Sequence, residues 1–138
     1  MQSINFCGEN DQEKPKVLLI HGFGCTGAVF YRMIAYLRPY FRVTTLDIFG
    51  MGTSGRPKFL PQTCHDSMSF FMLSFRAWML ATGYDEEEFA IAGHSLGGYL
   101  SSRYALKYPE NITNLILFSP VGVPKKPDNF NLEEIIEK

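Results

Sequence analysis

Four apolar or β-branched runs along the chain predict strands, and the first of these runs is typical of a strand that is buried on both faces. They cover residues 16–20, 42–48, 89–92 and 115–118. Strands of a parallel sheet that helices cover on both sides show such continuous runs instead of alternating polar positions. Helical patterns separate the runs, so strands and helices alternate. This order predicts right-handed βαβ crossovers and an α/β fold with a mostly parallel, doubly wound sheet, whose functional loops lie at the carboxyl ends of the strands.

Apolar residues recur at helical spacing in three of the intervening segments. Thr26 is positioned to cap the first helix, which Pro39 closes. The second helix is predicted over 63–83, with a Thr63/Asp66 capping box and a terminal glycine, and the third over 96–107. The apolar stripe of the second helix is expected to face the core, which is the usual place for methionine-rich stripes. Its members are Met68, Phe71, Met72, Phe75 and Trp78.

Composition and charge exclude several classes of protein. The 138 residues are 46% hydrophobic, which is enough for one domain, spanning residues 1–138, around a single core. A net charge of -1 gives no field that would favour nucleic acid as a partner. Three widely spaced cysteines fit neither a disulfide framework nor a metal site, and therefore indicate a reducing compartment. No apolar run is long enough to cross a bilayer, so we expect a cytoplasmic protein that is soluble or peripheral to a membrane.

The segment Gly93-His94-Ser95-Leu96-Gly97 carries the clearest chemical signal. It follows a predicted strand and opens a predicted helix, which is the structural context of a nucleophile elbow. Glycines on either side allow a strained turn that lifts the Ser95 hydroxyl clear of the sheet at a helix N-terminus. The same turn points the backbone N–H of Leu96 at the reacting oxygen. We therefore predict that Ser95 is a catalytic nucleophile and that Leu96 is one oxyanion-hole donor.

A second glycine-rich loop, His21-Gly22-Phe23-Gly24, follows the first predicted buried strand. Loops of this kind supply the other N–H of an oxyanion hole, here that of Phe23. We assign His21, Gly22, Gly24 and His94 to the substrate-binding surface around the nucleophile, although packing or hydrogen bonding is the commoner role for a histidine in the position of His94. The loop at 50–57 lacks the P-loop lysine and a complete dinucleotide fingerprint, so nucleotide binding is rejected. No cofactor and no metal site are predicted.

A general base for Ser95 is missing from this sequence. In this type of site the nucleophile is followed along the chain first by an acid and then by a histidine. All three histidines, His21, His65 and His94, come before or next to Ser95. Acids after Ser95, such as Glu110, do not follow a predicted strand end. We therefore expect the 138-residue chain on its own to be a very poor hydrolase.

These motifs resemble the α/β-hydrolase branch that contains the lipid-droplet lipase coactivator, the N-acylphosphatidylethanolamine lipases and the yeast cardiolipin deacylase. The likeness runs through 18–24, 47–57, 93–98 and 106–124. The resemblance implies an acyl hydrolase or transacylase acting on glycerophospholipids, with Ser95 as nucleophile and Phe23 and Leu96 as oxyanion donors. The coactivator has asparagine at the matching position, so Ser95 makes this sequence more similar to the catalytic members.

Two departures from that branch affect the prediction. Its members continue with a cap and with the strand ends that carry the acid and the histidine, so we expect this chain to be truncated, with residues 124–138 as the start of the cap. They also carry a His-x-x-x-x-Asp motif associated with acyl transfer, and no histidine here has Asp at that spacing. Transfer to lysophosphatidic acid therefore rests on the family likeness alone.

Two functions from different classes remain open. The first is the N-terminal part of a serine lipase or esterase whose substrate is a lipid or a small ester. The alternative is a non-catalytic lipid-binding protein or complex subunit, in which a protein partner covers an exposed sheet edge. An epoxide or haloalkane hydrolase would need Asp in place of Ser95. Phe59, Leu60 and the pair Lys125 and Lys126 are candidates for peripheral contact with a lipid droplet, the endoplasmic reticulum or a mitochondrial membrane.

Overall fold

The computed structural model describes residues 1–8 and 11–123 and contains one five-stranded sheet with helices on both faces. The strands, in chain order, are β1 (Gln2–Phe6), β2 (Lys16–Ile20), β3 (Arg42–Asp47), β4 (Phe89–His94) and β5 (Ile112–Phe118). The helices are α1 (Tyr31–Leu37), α2 (Cys64–Thr82) and α3 (Leu96–Lys107), with short 3-10 turns at Gly27–Phe30 and Tyr84–Glu86. The predicted start of a cap at 124–138 lies outside the described residues.

The order of strands across the sheet is β1-β3-β2-β4-β5. Strands β3, β2, β4 and β5 are parallel, and β1 pairs with β3 in the antiparallel direction. The predicted mostly parallel sheet is confirmed. Because β2 lies between β3 and β4, the carboxyl ends of these three strands meet at one edge of the sheet, where their loops form the candidate site.

Side chains of β2 alternate between two apolar clusters on opposite faces of the sheet. Leu18 and Ile20 pack on the face covered by α2 and α3, and Val17 and Leu19 pack on the face covered by α1. This two-sided burial explains the continuous apolar run in the sequence. The stripe of α2 faces the core as predicted: Met72, Phe75 and Trp78 are buried, and Met68 and Phe71 pack against them.

Two element starts and one whole strand differ most from the sequence prediction. Thr26 caps the 3-10 turn, with its hydroxyl accepting from Ala28 N–H, and the first α-helix begins only at Tyr31. Strand β5 begins at Ile112, three residues before the predicted 115, because Thr113 and Asn114 are exposed edge residues that break the apolar pattern. Strand β1 was missed, since its residues are mostly polar and exposed. Helix α2 matches well, with Thr63 as N-cap and Gly83 in the left-handed region as C-cap.

Candidate active site

Ser95 connects the end of β4 to the start of α3 with an unusual backbone conformation. Its φ is 53° and its ψ is -117°, a region that residues other than glycine rarely adopt. Three backbone hydrogen bonds hold it there. Ser95 N–H donates to the carbonyl of Phe118 over 3.1 Å, and the Ser95 carbonyl accepts from Tyr99 N–H and Val121 N–H, each at 3.1 Å. The surrounding backbone therefore enforces a strained turn at Ser95, the predicted nucleophile.

The two glycines that flank this turn are required by close backbone contacts. A Cβ on Gly93 would lie 2.3 Å from the carbonyl oxygen of Gly97, and a Cβ on Gly97 would lie 2.3 Å from the carbonyl oxygen of Ile20. Neither clash can be relieved by a side-chain rotation, because backbone atoms are involved. The first turn of α3 is thus pressed against the ends of β4 and β2, which fixes Ser95 at the carboxyl edge of the sheet.

The loop after β2 comes equally close to the serine. A Cβ on Gly22 would lie 3.1 Å from Ser95 Cβ and 3.1 Å from His94 Nδ1. Gly22 therefore gives the loop the space it needs to pass beside Ser95, and the following residue, Phe23, carries a side chain that is 79% exposed. Leu96 N–H belongs to the first turn of α3, where backbone N–H groups lack an intrahelical acceptor. Loop and helix end thus converge on one side of Ser95.

His21 has a different position from the one expected for a substrate-binding side chain. Its ring is completely buried. Nδ1 lies 2.7 Å from the carbonyl oxygen of Gly22, and Nε2 accepts a hydrogen bond from Ile48 N–H over 3.1 Å. A ring that accepts through Nε2 donates through Nδ1 and is neutral. Because backbone groups occupy both nitrogens, the imidazole of His21 ties the loop after β2 to the end of β3 and does not face a ligand.

Asp47, the last residue of β3, is the buried carboxylate beside this histidine. Its Oδ1 accepts from Gly27 N–H over 2.7 Å and lies 3.6 Å from His21 Nε2, and its Oδ2 accepts from the N–H and the hydroxyl of Thr53 at 2.8 and 3.0 Å. Burial raises the pKa of Asp47, but these hydrogen bonds outweigh it and hold the pKa below its usual value. One ionised carboxylate thereby fixes two loops at the edge of the sheet.

An apolar pocket of about 480 Å³ opens beside the predicted oxyanion donors. Phe23 and Leu96 form one side of it, and aromatic residues from the loop after β3 and from α2 form the other. Phe59 and Phe70 meet edge to face with their ring centroids 5.1 Å apart. The lining residues are Phe23, Gly24, Phe49, Gly50, Met51, Pro57, Phe59, Phe70, Phe71 and Leu96.

The histidines of the described residues do not provide Ser95 with a base. Both ring nitrogens of His21 are hydrogen-bonded to backbone groups. The side chain of His65 is 90% exposed, with Nδ1 3.9 Å from Asp66 Oδ1. His94 lies beside Gly22, and no side-chain hydrogen bond joins its ring to the Ser95 hydroxyl within residues 1–8 and 11–123. In the same part of the chain, no cluster of three His, Cys, Asp or Glu side chains is arranged for a metal ion.

Several residues of this site were not selected from the sequence. Asp47 and Thr53 belong to the end of β3 and the loop that follows it, and Gly27 meets them only in the fold. An Asp at a strand end followed by a glycine-rich loop is a signal that could have been followed. Phe70 and Phe71 were overlooked as pocket residues, because aromatic residues on α2 suggest core packing when only the sequence is considered. Phe49, in the loop after β3, was also overlooked. Ser95, Phe23, Gly22, Gly24, His94 and Leu96 lie together at the predicted edge.

A comparison against protein families agrees with the order of the strands, with the strained turn at Ser95 and with the loop beside it. The model of the alpha/beta hydrolase fold family matches residues 15–136, which is most of the chain. The chain belongs to this family. Among the residues that the structure describes, no helix is both long enough and apolar enough to cross a bilayer.

Curated relatives of this α/β-hydrolase are mostly named for acyl transfer. A 1-acylglycerol-3-phosphate O-acyltransferase from Arabidopsis thaliana is 35% identical over 114 residues, covering 83% of this chain and 27% of the relative. The human 1-acylglycerol-3-phosphate O-acyltransferase ABHD5 is 34% identical over 119 residues, covering 86% and 33%. An abhydrolase domain-containing protein, abhd-5.2 of Caenorhabditis elegans, is 38% identical, covering 85% and 26%. The chain thus spans about a third or less of these relatives.

Solved structures show the same part of the fold. A membrane phospholipase A, described as a bacterial virulence factor, superposes with a TM-score of 0.75 at 25% identity, covering 98% of this chain and 41% of that one. A probable hydrolytic enzyme from Pseudomonas aeruginosa superposes with a TM-score of 0.73 at 26% identity, covering 87% and 36%. Both comparisons support the α/β-hydrolase architecture.

Proposed function

We propose that this chain carries the nucleophile and oxyanion hole of a serine acyl hydrolase or transacylase that acts on lipid esters. The observation that carries the proposal is the conformation of Ser95, whose positive φ is imposed at the N-terminus of α3 by three backbone hydrogen bonds. Strain that the surrounding structure enforces on a hydroxyl-bearing residue is typical of catalytic positions. Gly22 and the loop after β2 pass directly beside that residue.

In the proposed reaction, Ser95 Oγ attacks the ester carbonyl carbon and passes its proton to a general base. The N–H groups of Phe23 and Leu96 stabilise the negative oxygen that develops, an effect that in other serine hydrolases changes rates by about 10²- to 10³-fold per donor. The leaving alcohol takes the proton from the base, and water or an acceptor alcohol then releases the acyl group from Ser95. The first acceptor gives hydrolysis, and the second gives acyl transfer.

The general base is the part of this site that the three histidines of this chain do not supply. His21 is occupied by backbone groups, and His65 is exposed at the start of α2. We propose that the imidazole and its acid come from residues outside 1–138, in the order nucleophile, acid, histidine that this fold uses. The oxyanion hole and the strained serine are preorganised by β2, β4 and α3, so they do not depend on where the base lies.

The apolar pocket indicates an acyl chain as the group that Ser95 receives. Its volume of about 480 Å³ falls within the range of small-ligand pockets. Phe59 and Phe70 offer aromatic faces and no charge, so the pocket fits a hydrocarbon chain better than a polar acyl group. The names of the relatives, which describe acyltransferases of 1-acylglycerol-3-phosphate, agree with a glycerophospholipid substrate.

We also propose that the mouth of the pocket faces a lipid surface. Phe23, Phe59 and Leu60 are 79%, 52% and 66% exposed, and the first two line the pocket. Exposed aromatic and aliphatic side chains around an apolar opening are suited to the interface of a membrane or lipid droplet. Peripheral attachment from the cytoplasmic side, to a lipid droplet, the endoplasmic reticulum or a mitochondrial membrane, would bring ester bonds to Ser95.

A second candidate is a lipid-binding or regulatory subunit that does not turn over its ligand. It is favoured by the positions of the three histidines, none of which serves Ser95. It is also favoured by β5, an edge strand on which Leu115 and Ile116 are 41% and 42% exposed. A protein partner that pairs with β5 would cover this edge.

Hydrolysis of p-nitrophenyl esters by the full-length protein distinguishes the two candidates. The proposed enzyme hydrolyses esters of about eight or more carbons faster than the acetate ester, and Ser95→Ala abolishes the difference. Ser101→Ala, a change at a buried serine of α3 outside the site, serves as the matched control and retains activity. Lipid binding without hydrolysis by the wild-type protein would support the subunit instead.

A further inference from the structure

A second pocket, here called the α2–α3 groove, lies between the first two turns of α2 and the part of α3 from Tyr99 to its end at Lys107. Its volume is about 540 Å³. Helix α2 contributes His65, Met68 and Met72 to the groove, and α3 contributes Tyr99 and Arg103. None of the residues that line the pocket beside Ser95 lines the groove. The groove is therefore a separate site, and the function proposed above does not use it.

The floor of the groove is apolar. Met72 is almost completely buried, and Met68 and Tyr99 pack against the same core cluster while keeping part of their surface open. Unbranched thioether side chains adapt to flexible apolar ligands more readily than branched side chains do. Leu106, which is 78% exposed, extends the apolar surface toward solvent. This floor suits a hydrocarbon chain.

The rim of the groove is basic. Arg103 and Lys107 lie one helical turn apart on α3, and His65 lies on the α2 side. Within residues 1–8 and 11–123, neither Arg103 nor Lys107 has a carboxylate oxygen within ion-pair distance, and no Asp or Glu is among the residues that line the groove. Asp66, beside His65, is the acid adjacent to the rim. The charge of the rim is thus complementary to an anion.

We propose that the α2–α3 groove binds the anion of a long-chain fatty acid. The carboxylate pairs with the planar guanidinium of Arg103 and with Lys107, and the chain lies over Met68 and Met72. Arginine is well suited to the carboxylate because its parallel N–H groups match the two oxygens. A short-chain carboxylate would not contact the apolar floor, and an uncharged long-chain alcohol would leave Arg103 and Lys107 without an anionic partner.

Displacement of a fluorescent fatty acid, dansyl-undecanoic acid, by palmitate tests this proposal on the full-length protein. Arg103→Gln/Lys107→Gln is expected to weaken palmitate binding by about tenfold or more, because two charge-assisted hydrogen bonds are lost. Arg103→Lys/Lys107→Arg retains both charges and binding. The matched control Arg32→Gln/Arg38→Gln removes two exposed charges from the α1 side of the sheet and leaves the affinity unchanged.

Three results would overturn the proposal. They are equal affinity for palmitate and hexadecanol, unchanged palmitate binding in Arg103→Gln/Lys107→Gln, and binding to phosphatidylserine vesicles without binding of free palmitate. The last would make the groove a membrane-docking surface. All variants are prepared with Ser95→Ala, so that the assay reports binding and no turnover. The binding assay can then exclude the fatty-acid site without affecting the proposal of a serine hydrolase. The esterase assay can likewise exclude the hydrolase without affecting the fatty-acid site.

Discussion

A Cβ on Gly22 would lie 3.1 Å from Ser95 Cβ, so the loop after β2 and the turn after β4 leave little room for an extra carbon between them. The same position is 3.1 Å from His94 Nδ1. These contacts are tight but involve side-chain atoms, which can shift by a few tenths of an ångström. A larger residue at Gly22 therefore displaces the predicted oxyanion donor Phe23 relative to Ser95 and leaves the sheet intact.

Gly22→Ala is accordingly expected to lower the esterase activity of the full-length protein by about tenfold or more, since a misplaced oxyanion donor loses much of its effect. The free energy of unfolding should change little, which chemical denaturation measures. Gly55→Ala is the matched control, because a Cβ on Gly55 meets nothing within 4 Å and its φ is not positive. Equal activity of Gly22→Ala and the wild-type protein would contradict the assigned oxyanion loop.

Ser95→Gly is expected to stabilise the protein while removing the nucleophile. Glycine adopts a φ of 53° without the steric cost that a Cβ imposes, so the free energy of unfolding should rise by about 1 kcal/mol. Ser95→Ala keeps the Cβ and should show no such gain. Urea denaturation of the two variants side by side measures the strain. If both variants have the same stability, the turn is not strained by its side chain.

Asp47→Asn should destabilise the fold by about 1–3 kcal/mol at pH 7, because the Gly27 and Thr53 donors lose a charged acceptor. The pKa of Asp47 is depressed in the folded state, so its contribution is present above the pKa of the unfolded chain and is lost as pH falls through the folded-state pKa. The difference between variant and wild type should therefore shrink in acid. Glu88→Gln, a change at an exposed carboxylate, is the control. A difference that is constant from pH 7 to pH 3 would exclude this role.

Phe70→Ala should shift the acyl-chain preference. Phe70 packs edge to face on Phe59 in the wall of the pocket, so its removal weakens contacts with a long chain and leaves a short acyl group unaffected. We expect kcat/KM to fall about tenfold for the decanoate ester and less than twofold for the acetate ester, in line with the transfer free energy of a few methylene groups. Leu73→Ala, on the exposed side of α2, controls for helix stability. Equal decreases in kcat/KM for the decanoate and acetate esters would show that the pocket does not hold the acyl chain.

The sequence predicts the buried part of this fold better than its edges. Strands β2 and β4 are predicted within two residues because helices cover both of their faces, and the apolar runs have no other explanation. Strand β1 has no such signal, since its stability comes from pairing with β3 and its side chains are mostly exposed. The polar start of β5 was missed for the same reason.

The candidate site likewise contains some residues that the sequence predicts and others that it does not. Ser95 and the Gly22 loop are predictable because steric demands of a tight turn leave a local pattern of glycines. The role of Asp47 is not predictable from the pattern alone, since its donors come from residues 20 positions before it and 6 after it. His21 was assigned to substrate binding because it lies next to the loop, whereas complete burial and two backbone hydrogen bonds make it a positioning residue.

Covalent labelling of the full-length protein tests whether Ser95 is a nucleophile. The protein is incubated with a fluorophosphonate, digested, and mapped by mass spectrometry. We expect one phosphonyl group on the peptide that contains Ser95 and no labelling of Ser95→Ala. If the folded wild-type protein remains unlabelled, or if Ser95→Ala is labelled to the same extent, Ser95 is not the nucleophile.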